Sequence, residues 1–148
     1  MKIIEIKNLH KVYNSDSVSV HAVNGVDLSF EEGEFTAIVG PSGSGKTTLL
    51  NIVGGLDDAT EGSVTIENVQ INKLSARKLT DFRMKNIGFV FQAYNLIPVL
   101  TAKENVEFIM HLQGRNKVDR ELRTTELLQA VVNFVQVFYF YYFHDLML

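Results

Sequence analysis

The sequence predicts an α/β domain built on a partly parallel β-sheet. Two short runs, residues 35–39 and 87–91, are almost entirely apolar, as expected of strands that are covered on both faces. A glycine- and serine-rich loop, residues 40–45, follows the first run and precedes a segment with helical character. Strands and helices mixed in this way are typical of domains with a parallel or mixed sheet.

The first third of the chain is predicted to form half-buried strands. An apolar run begins at Ile4 and ends near Tyr13, where residues 14–17 have the composition of a turn. Apolar and polar residues then alternate over residues 18–30, which is the period of a strand with one buried face. Residues 62–66 are predicted to form a further strand.

Capping residues and amphipathic spacing predict the helices. Ser75 and Thr101 are the predicted N-terminal caps, and Glu104 completes a capping box with Thr101. The glycines at residues 54–55 and Gly114 are the predicted helix ends. The helical segments are residues 46–53, 75–83, 101–114 and 118–128.

The composition is that of a globular protein. Of the 148 residues, 46% are hydrophobic and 21% are charged, which excludes a wholly disordered or collagen-like chain. The formal net charge of −3 gives no reason to expect a nucleic-acid partner. The lack of cysteine excludes a disulfide scaffold, and early charges in residues 1–7 argue against a signal peptide. We therefore expect a soluble cytoplasmic protein.

The strongest functional signal is the stretch from Gly40 to Thr47, which fits the pattern G-x-x-x-x-G-K-[ST]. Its glycines allow successive backbone N–H groups to form a concave anion site, and the following helix adds its positive N-terminal end. Lys46 can reach the β- and γ-phosphates of a nucleotide, and the Thr47 hydroxyl can bind Mg²⁺. The predicted nucleotide-binding residues of the loop are Gly40, Ser42, Gly43, Ser44, Gly45, Lys46, Thr47 and Thr48.

The alternative for this loop is a glycine-rich turn that binds nothing. A chance match to the pattern is expected in roughly one chain in two hundred of this length. Here the pattern also follows an apolar run and precedes a helical segment, which is the context that it requires. We therefore expect nucleotide binding, although kinases, GTPases and many ATPases share such a loop.

Further motifs resemble those of the ATP-binding-cassette (ABC) transporter ATPases. Residues 89–92 (Phe-Val-Phe-Gln), 95–98 (Asn-Leu-Ile-Pro) and 100–106 resemble the glutamine-loop region of that family. Residues 55–64 are also similar, with Ala59 where a proline is usual. Several separate motifs that agree make the resemblance specific.

The resemblance covers about residues 1–130. Within the family, the chain most resembles the ATPases of macrolide export, lipoprotein release and antimicrobial-peptide efflux. It implies a P-loop NTPase fold with a RecA-like core and an antiparallel β subdomain, incomplete at the C-terminus. It also implies an ATP-binding subunit, or a fragment of one, that serves an exporter at the inner face of the cell membrane. The alternative is an inactive remnant or a regulatory partner of full-length subunits. Residues 92–106 argue against a different P-loop enzyme, such as a kinase.

The resemblance also implies roles outside the loop. Tyr13 would stack on adenine, whereas an aromatic residue at a strand end is by itself more often a packing residue. Gln92 would bind Mg²⁺ together with Thr47 and report the nucleotide state, whereas a glutamine after a strand is by itself usually solvated. Residues 92–105 would receive a coupling helix of a membrane-spanning permease. A second ATPase subunit would complete a dimer around two Mg-ATP.

The motifs of the family's catalytic site are not found in the sequence. A signature of the Leu-Ser-Gly-Gly-Gln type needs glycines, and none follows Gly114. An Asp-Glu pair should end an apolar strand, but neither Asp119 nor Asp145 precedes a glutamate. A positioned general base raises the rate of a reaction by about 10²–10⁴-fold. Without one, we expect this chain alone to hydrolyse almost no ATP. The histidines lack both a switch context and ligand-like spacing, and we assign no chemistry to His10, His21, His111 and His144.

The last residues differ in composition from the rest. Residues 127–143 carry no charge, and seven aromatic side chains lie within residues 134–143. We expect residues 1–130 to form a partial nucleotide-binding domain and residues 131–148 to be an atypical tail produced by truncation or frameshift. One alternative is a core helix or strand of an unusual variant. The other is a membrane segment, for which the uncharged stretch is short of the ~20 residues that a span needs.

Overall fold

The computed structural model describes residues 1–15, 18–91 and 95–144 of the chain. The chain divides into two compact units, Met1–Gly88 and Phe89–Leu148. The first unit holds the phosphate loop and Tyr13. The second unit holds the described part of the segment 92–105.

The strands of the first unit are β1 (Lys2–Ser15), β2 (Val18–Glu31), β3 (Glu61–Ile66) and β4 (Val69–Gln70). They form one antiparallel sheet in the order β2-β1-β3-β4. β1 lies between β2 and β3, so that Ile6 is opposite Leu28 on one side and Val64 on the other. The strands predicted in the first third of the chain and at residues 62–66 are confirmed. Asp16 and Ser17 of the predicted turn lie outside the described residues.

Apolar residues of the sheet pack against helix α1 (Lys46–Val53). β1 contributes Ile6 and Leu9 to this core, and α1 contributes Leu49 and Ile52. The other buried members are Val23, Val64, Ile66 and Ile71. Full burial of an aliphatic side chain contributes about 1.5–3 kcal/mol. The core therefore fixes α1, and with it the loop that precedes α1, against the sheet.

The apolar runs at residues 35–39 and 87–91 do not form the predicted strands. Within the described residues, neither run pairs with a strand, and the sheet is antiparallel. Phe35 and Val39 are 97% and 87% exposed instead of being covered on both faces. The prediction of a partly parallel sheet is therefore wrong for this part of the chain. An apolar run becomes a strand only where another strand offers its backbone N–H and C=O groups.

The second and third predicted helices are confirmed close to their predicted bounds. They are α2, Ala76–Asn86, which follows Ser75, and α3, Ala102–Leu112, which follows Thr101. The Ser75 side chain makes no capping hydrogen bond, whereas the capping box between Thr101 and Glu104 is complete. Gly114 has a φ of 74°, the left-handed conformation that ends a helix.

The last helix, α4 (Lys117–His144), extends beyond residue 128, where the predicted segment stops. Thr124 of α4 and Met110 of α3 are buried. An ion pair also links the two helices, with Lys103 Nζ of α3 lying 3.5 Å from Glu121 Oε1 of α4. In the described part of the chain, no helix has the length and apolar character needed to cross a membrane.

Candidate functional site

The backbone of the phosphate loop depends on two glycines. Gly43 has a φ of 79° and Gly45 a φ of 86°, a left-handed conformation that costs other residues about 1–2 kcal/mol. A side chain at Gly45 would also collide with the backbone carbonyl oxygen of Ala22 in β2. The loop therefore lies directly against the sheet at this point. Two left-handed residues separated by one position turn the backbone into the concave form that binds anions.

Helix α1 begins immediately after the loop. The Leu49 N–H donates to the Gly45 carbonyl at 2.8 Å, which is the first hydrogen bond of the helix. The N–H groups of a first helical turn have no acceptor within the helix, and the helix dipole places partial positive charge there. These donors and this charge favour an anion next to residues 45–48.

The Lys46 ammonium bridges the phosphate loop. Its Nζ donates to the carbonyl oxygens of Gly40 at 2.8 Å and Pro41 at 2.7 Å, and it lies 3.3 Å from Ser44 Oγ. These contacts hold the positive charge against the loop. A phosphate oxygen that enters the loop can replace one of these acceptors and take a hydrogen bond from the ammonium.

A cavity of about 500 Å³ adjoins the loop. Its size falls within the usual range of ligand pockets, about 300–1,000 Å³. Its walls combine residues of β2 with residues of the loop and α1, and they include His21, Ala22, Asn24, Pro41, Ser44 and Lys46. Sequence reasoning assigned no chemistry to His21 and did not single out Asn24. Their place in the wall follows from the course of β2 past the loop, which no local pattern encodes.

The two threonines after Lys46 belong to the first turn of α1. Thr47 is exposed and Thr48 is half-buried. A hydroxyl oxygen is a suitable Mg²⁺ ligand when phosphate oxygens and water complete the shell. Among the described residues, no group of three His, Cys, Asp or Glu side chains could hold a metal ion.

Tyr13 does not line the cavity beside the loop. Its hydroxyl donates to Asp57 Oδ2 at 2.6 Å, and the Lys11 ammonium lies 4.8 Å from the centre of its ring. The sequence points to Tyr13, but it gives no role to Lys11 or Asp57. The only available signal was that Asp57 belongs to a motif shared with the ABC family.

Gln92 lies outside the described residues, as do the two residues that follow it. The remainder of the segment 92–105 is tied to the start of α3 by Asn105. The Asn105 Oδ1 accepts from the Ile97 N–H at 2.8 Å. Its Nδ2 donates to the carbonyl oxygens of Ile97 at 3.2 Å, Leu100 at 3.1 Å and Thr101 at 3.0 Å. Leu96 and Val99 remain exposed on this segment.

The chain matches a protein-family model described as "ABC transporter" over residues 23–138. It is 46% identical over 130 residues to an uncharacterized ABC transporter ATP-binding protein of Thermotoga maritima, covering 88% of this chain and 56% of that protein. It is 43% identical over 131 residues to the macrolide export ATP-binding/permease protein MacB of Mannheimia succiniciproducens, covering 88% of this chain and 20% of that protein.

A solved structure is similar in fold as well as in sequence. It is the dimeric ATP-binding cassette MJ0796 in a post-hydrolysis state bound to ADP and Pi, from Methanocaldococcus jannaschii. The TM-score is 0.79 at 45% identity, covering 85% of this chain and 56% of that one. The fold is therefore that of the P-loop NTPases, and the chain spans about half the length of these cassettes. The chain belongs to the family of ABC transporter ATP-binding cassettes.

Proposed function

We propose that this chain binds ATP with the triphosphate in the loop from Gly40 to Thr48. The observation that carries the proposal is the Lys46 ammonium, held at the loop by the Gly40 and Pro41 carbonyls beside the N-terminus of α1. Backbone donors, a helix dipole and a lysine together favour a polyphosphate over a single carboxylate. The adenine would stack on Tyr13.

Mg²⁺ would accompany the nucleotide and neutralise part of the phosphate charge. The Thr47 hydroxyl is the proposed ligand from the loop, since it is exposed in the first turn of α1. Gln92 is the second proposed ligand, on the strength of the family resemblance alone. Mutation of Thr47 to valine keeps the shape of the side chain and removes the oxygen, and it should weaken the Mg²⁺ dependence of binding.

The first test is thermal unfolding with and without Mg-ATP. ATP at 100 times its dissociation constant should stabilise the folded chain by about 2.7 kcal/mol. Lys46→Met keeps most of the apolar stem and removes the ammonium, so the shift should largely disappear. Lys73→Met, at the end of the short 3₁₀ helix Ile71–Lys73, removes an equal charge and should leave the shift intact. An equal shift in wild type and Lys46→Met would contradict the proposal.

We further propose that the chain is the N-terminal part of a cassette that energises an exporter. The similarity to a macrolide export ATP-binding/permease protein supports this direction of transport. Residues 92–105, with exposed Leu96 and Val99, would receive a helix of the permease at the inner face of the membrane. Co-purification with the permease, lost when both residues are changed to serine, would test this surface.

Pairing with another cassette subunit is a second proposal, supported by the dimeric state of the solved relative. The chain would then act by association rather than by independent turnover. Light scattering after gel filtration should detect a complex when the chain is mixed with a full-length cassette and Mg-ATP. A chain that elutes only as a monomer in that mixture would contradict this second proposal.

A further inference from the structure

The Asp57 carboxylate accepts hydrogen bonds from both the Tyr13 hydroxyl and the Lys11 ammonium, which lies next to the Tyr13 ring. Lys11 Nζ donates to Asp57 Oδ1 at 2.6 Å, and the Tyr13 hydroxyl donates to Asp57 Oδ2 at 2.6 Å. The same ammonium lies 4.8 Å from the centre of the Tyr13 ring. The ring is thus fixed at its outer end by Asp57 and covered on one face by Lys11.

The segment that carries Asp57 is itself bound to β1. Lys11 Nζ also donates to the Asp58 carbonyl at 2.6 Å, and the Asp58 N–H donates to Asp57 Oδ1 at 2.8 Å. Two residues further on, Thr60 Oγ1 accepts from the Val12 N–H at 2.9 Å. The position of the carboxylate is therefore also set by the bonds of the residues that follow it, and it does not depend on the Tyr13 contact alone.

Burial and charge make this cluster different from an ordinary surface ion pair. The Lys11 side chain is only 12% exposed and that of Asp57 27%, whereas Tyr13 is 44% exposed. Partial burial acts to raise the pKa of Asp57, but hydrogen bonds from Lys11, Tyr13 and the Asp58 N–H outweigh it and lower the pKa. The carboxylate is therefore ionised at neutral pH and accepts from both donors.

We propose that Asp57, acting with Lys11, is a positioning residue that orients the Tyr13 ring for stacking with the nucleotide base. The inference rests on the proposed function and deepens it, because it adds the residues that prepare the base-binding surface. Because the Lys11 ammonium lies over one face of the ring, a base would stack on the opposite face. The carboxylate connects that surface to the segment after α1, the helix whose first turn would bind the phosphates.

Two physical effects would make the oriented Tyr13 ring stack more strongly on a nucleotide base. A ring that is already fixed loses less conformational entropy when a base stacks on it. Two aromatic faces also repel each other electrostatically, because each carries partial negative charge. A cation against the far face of Tyr13 offsets that repulsion. Neither effect acts on the phosphates, so the inference predicts a selective loss of affinity for the base.

The experiment compares two probes, Mg-ATP and Mg-tripolyphosphate, on the full 148-residue chain. The variants are Asp57→Asn, which keeps the size of the side chain, and Lys11→Met, which keeps its stem. Tyr13→Phe keeps the ring and removes only the hydroxyl. The control is Asp58→Asn, which changes an adjacent carboxylate that makes none of these bonds. Thermal unfolding of each variant without ligand reports the folded fraction.

The expected result is a selective decrease in ATP affinity. Asp57→Asn and Lys11→Met should weaken ATP binding about five- to tenfold, a part of the energy of one stacked base, and leave tripolyphosphate binding unchanged. Asp57→Asn combined with Tyr13→Phe should be less than additive, because both changes break the same hydrogen bond. Asp58→Asn should bind both probes as wild type does.

Three outcomes would overturn the inference, and they are distinguishable. If wild type binds ATP but Asp57→Asn, Lys11→Met and Tyr13→Phe bind it equally well, the positioning role is wrong and the proposed function stands. If wild type binds neither probe, the proposed function fails and the inference fails with it. An equal loss for both probes would mean that the cluster is only structural, which also contradicts positioning.

Discussion

Gly45 is the residue at which the phosphate loop and the sheet approach each other. Its φ of 86° disfavours any side chain, and a Cβ would collide with the Ala22 carbonyl. We expect Gly45→Ala to lower the free energy of unfolding by more than the ~1–2 kcal/mol of the left-handed conformation alone, and to remove ATP binding. Urea unfolding and a binding titration measure the two effects.

Gly33 supplies the matched control for that prediction. It has a similar φ of 77°, but a Cβ there would meet nothing within 4 Å. Gly33→Ala should therefore cost only the conformational energy and leave ATP binding unchanged. Equal effects of the two substitutions would show that the approach to Ala22 is unimportant.

Asp57 should make the stability of the chain depend on pH. Because its pKa is lowered in the folded chain, the unfolded state takes up the proton first as the pH falls. The contribution of Asp57 is therefore complete above about pH 3.9, its unfolded pKa, and is lost as the pH falls through the lowered value. The difference in unfolding free energy between wild type and Asp57→Asn should shrink from pH 7 to pH 3. A difference that grows over this range would contradict the assignment.

At the scale of elements, Asn105 joins the loop 95–101 to α3 through four hydrogen bonds. Asn105→Ala leaves several of these backbone groups without a partner, so we expect a loss of about 1–3 kcal/mol and faster hydrogen exchange at the Ile97 amide. Asn86→Ala, which removes a hydrogen bond to Phe82 on the exposed side of α2, should cost less. Unchanged exchange at Ile97 would contradict the role of Asn105.

The elements also differ in how far the sequence determines them. The capping box of Thr101 and Glu104 and the end of α3 near Gly114 depend on residues close in the chain, and they were predicted correctly. The run at residues 35–39 has the composition of a buried strand, but a strand requires a partner, and the described residues offer none. Composition alone therefore could not decide its structure.

The candidate site shows the same division between local and distant information. The phosphate loop is continuous in sequence, and its glycines and lysine could be read directly from the pattern. The cluster around Tyr13 joins Lys11 to Asp57 across 46 positions. The β2 residues in the cavity wall are likewise brought to the loop by the folding of the sheet. Such contacts are set by tertiary packing, so a single sequence does not reveal them.

At the scale of the whole molecule, the chain spans about half the length of the cassettes that it matches, and its antiparallel sheet, α1 and phosphate loop belong to one compact unit. It covers 56% of the solved cassette at a TM-score of 0.79. We expect this unit to be sufficient to bind a nucleotide, because the loop, the first turn of α1 and Tyr13 all lie within Met1–Gly88. Transport and pairing are proposals about larger assemblies.

The most direct test is a calorimetric titration of Mg-ATP into the 148-residue chain. We expect saturable binding of one ATP per chain, with Lys46→Met removing the heat of binding and Lys73→Met retaining it. No saturable heat with millimolar ATP on a chain shown to be folded would contradict the central claim. Saturable binding that survives Lys46→Met would contradict it equally, because the nucleotide would then bind elsewhere.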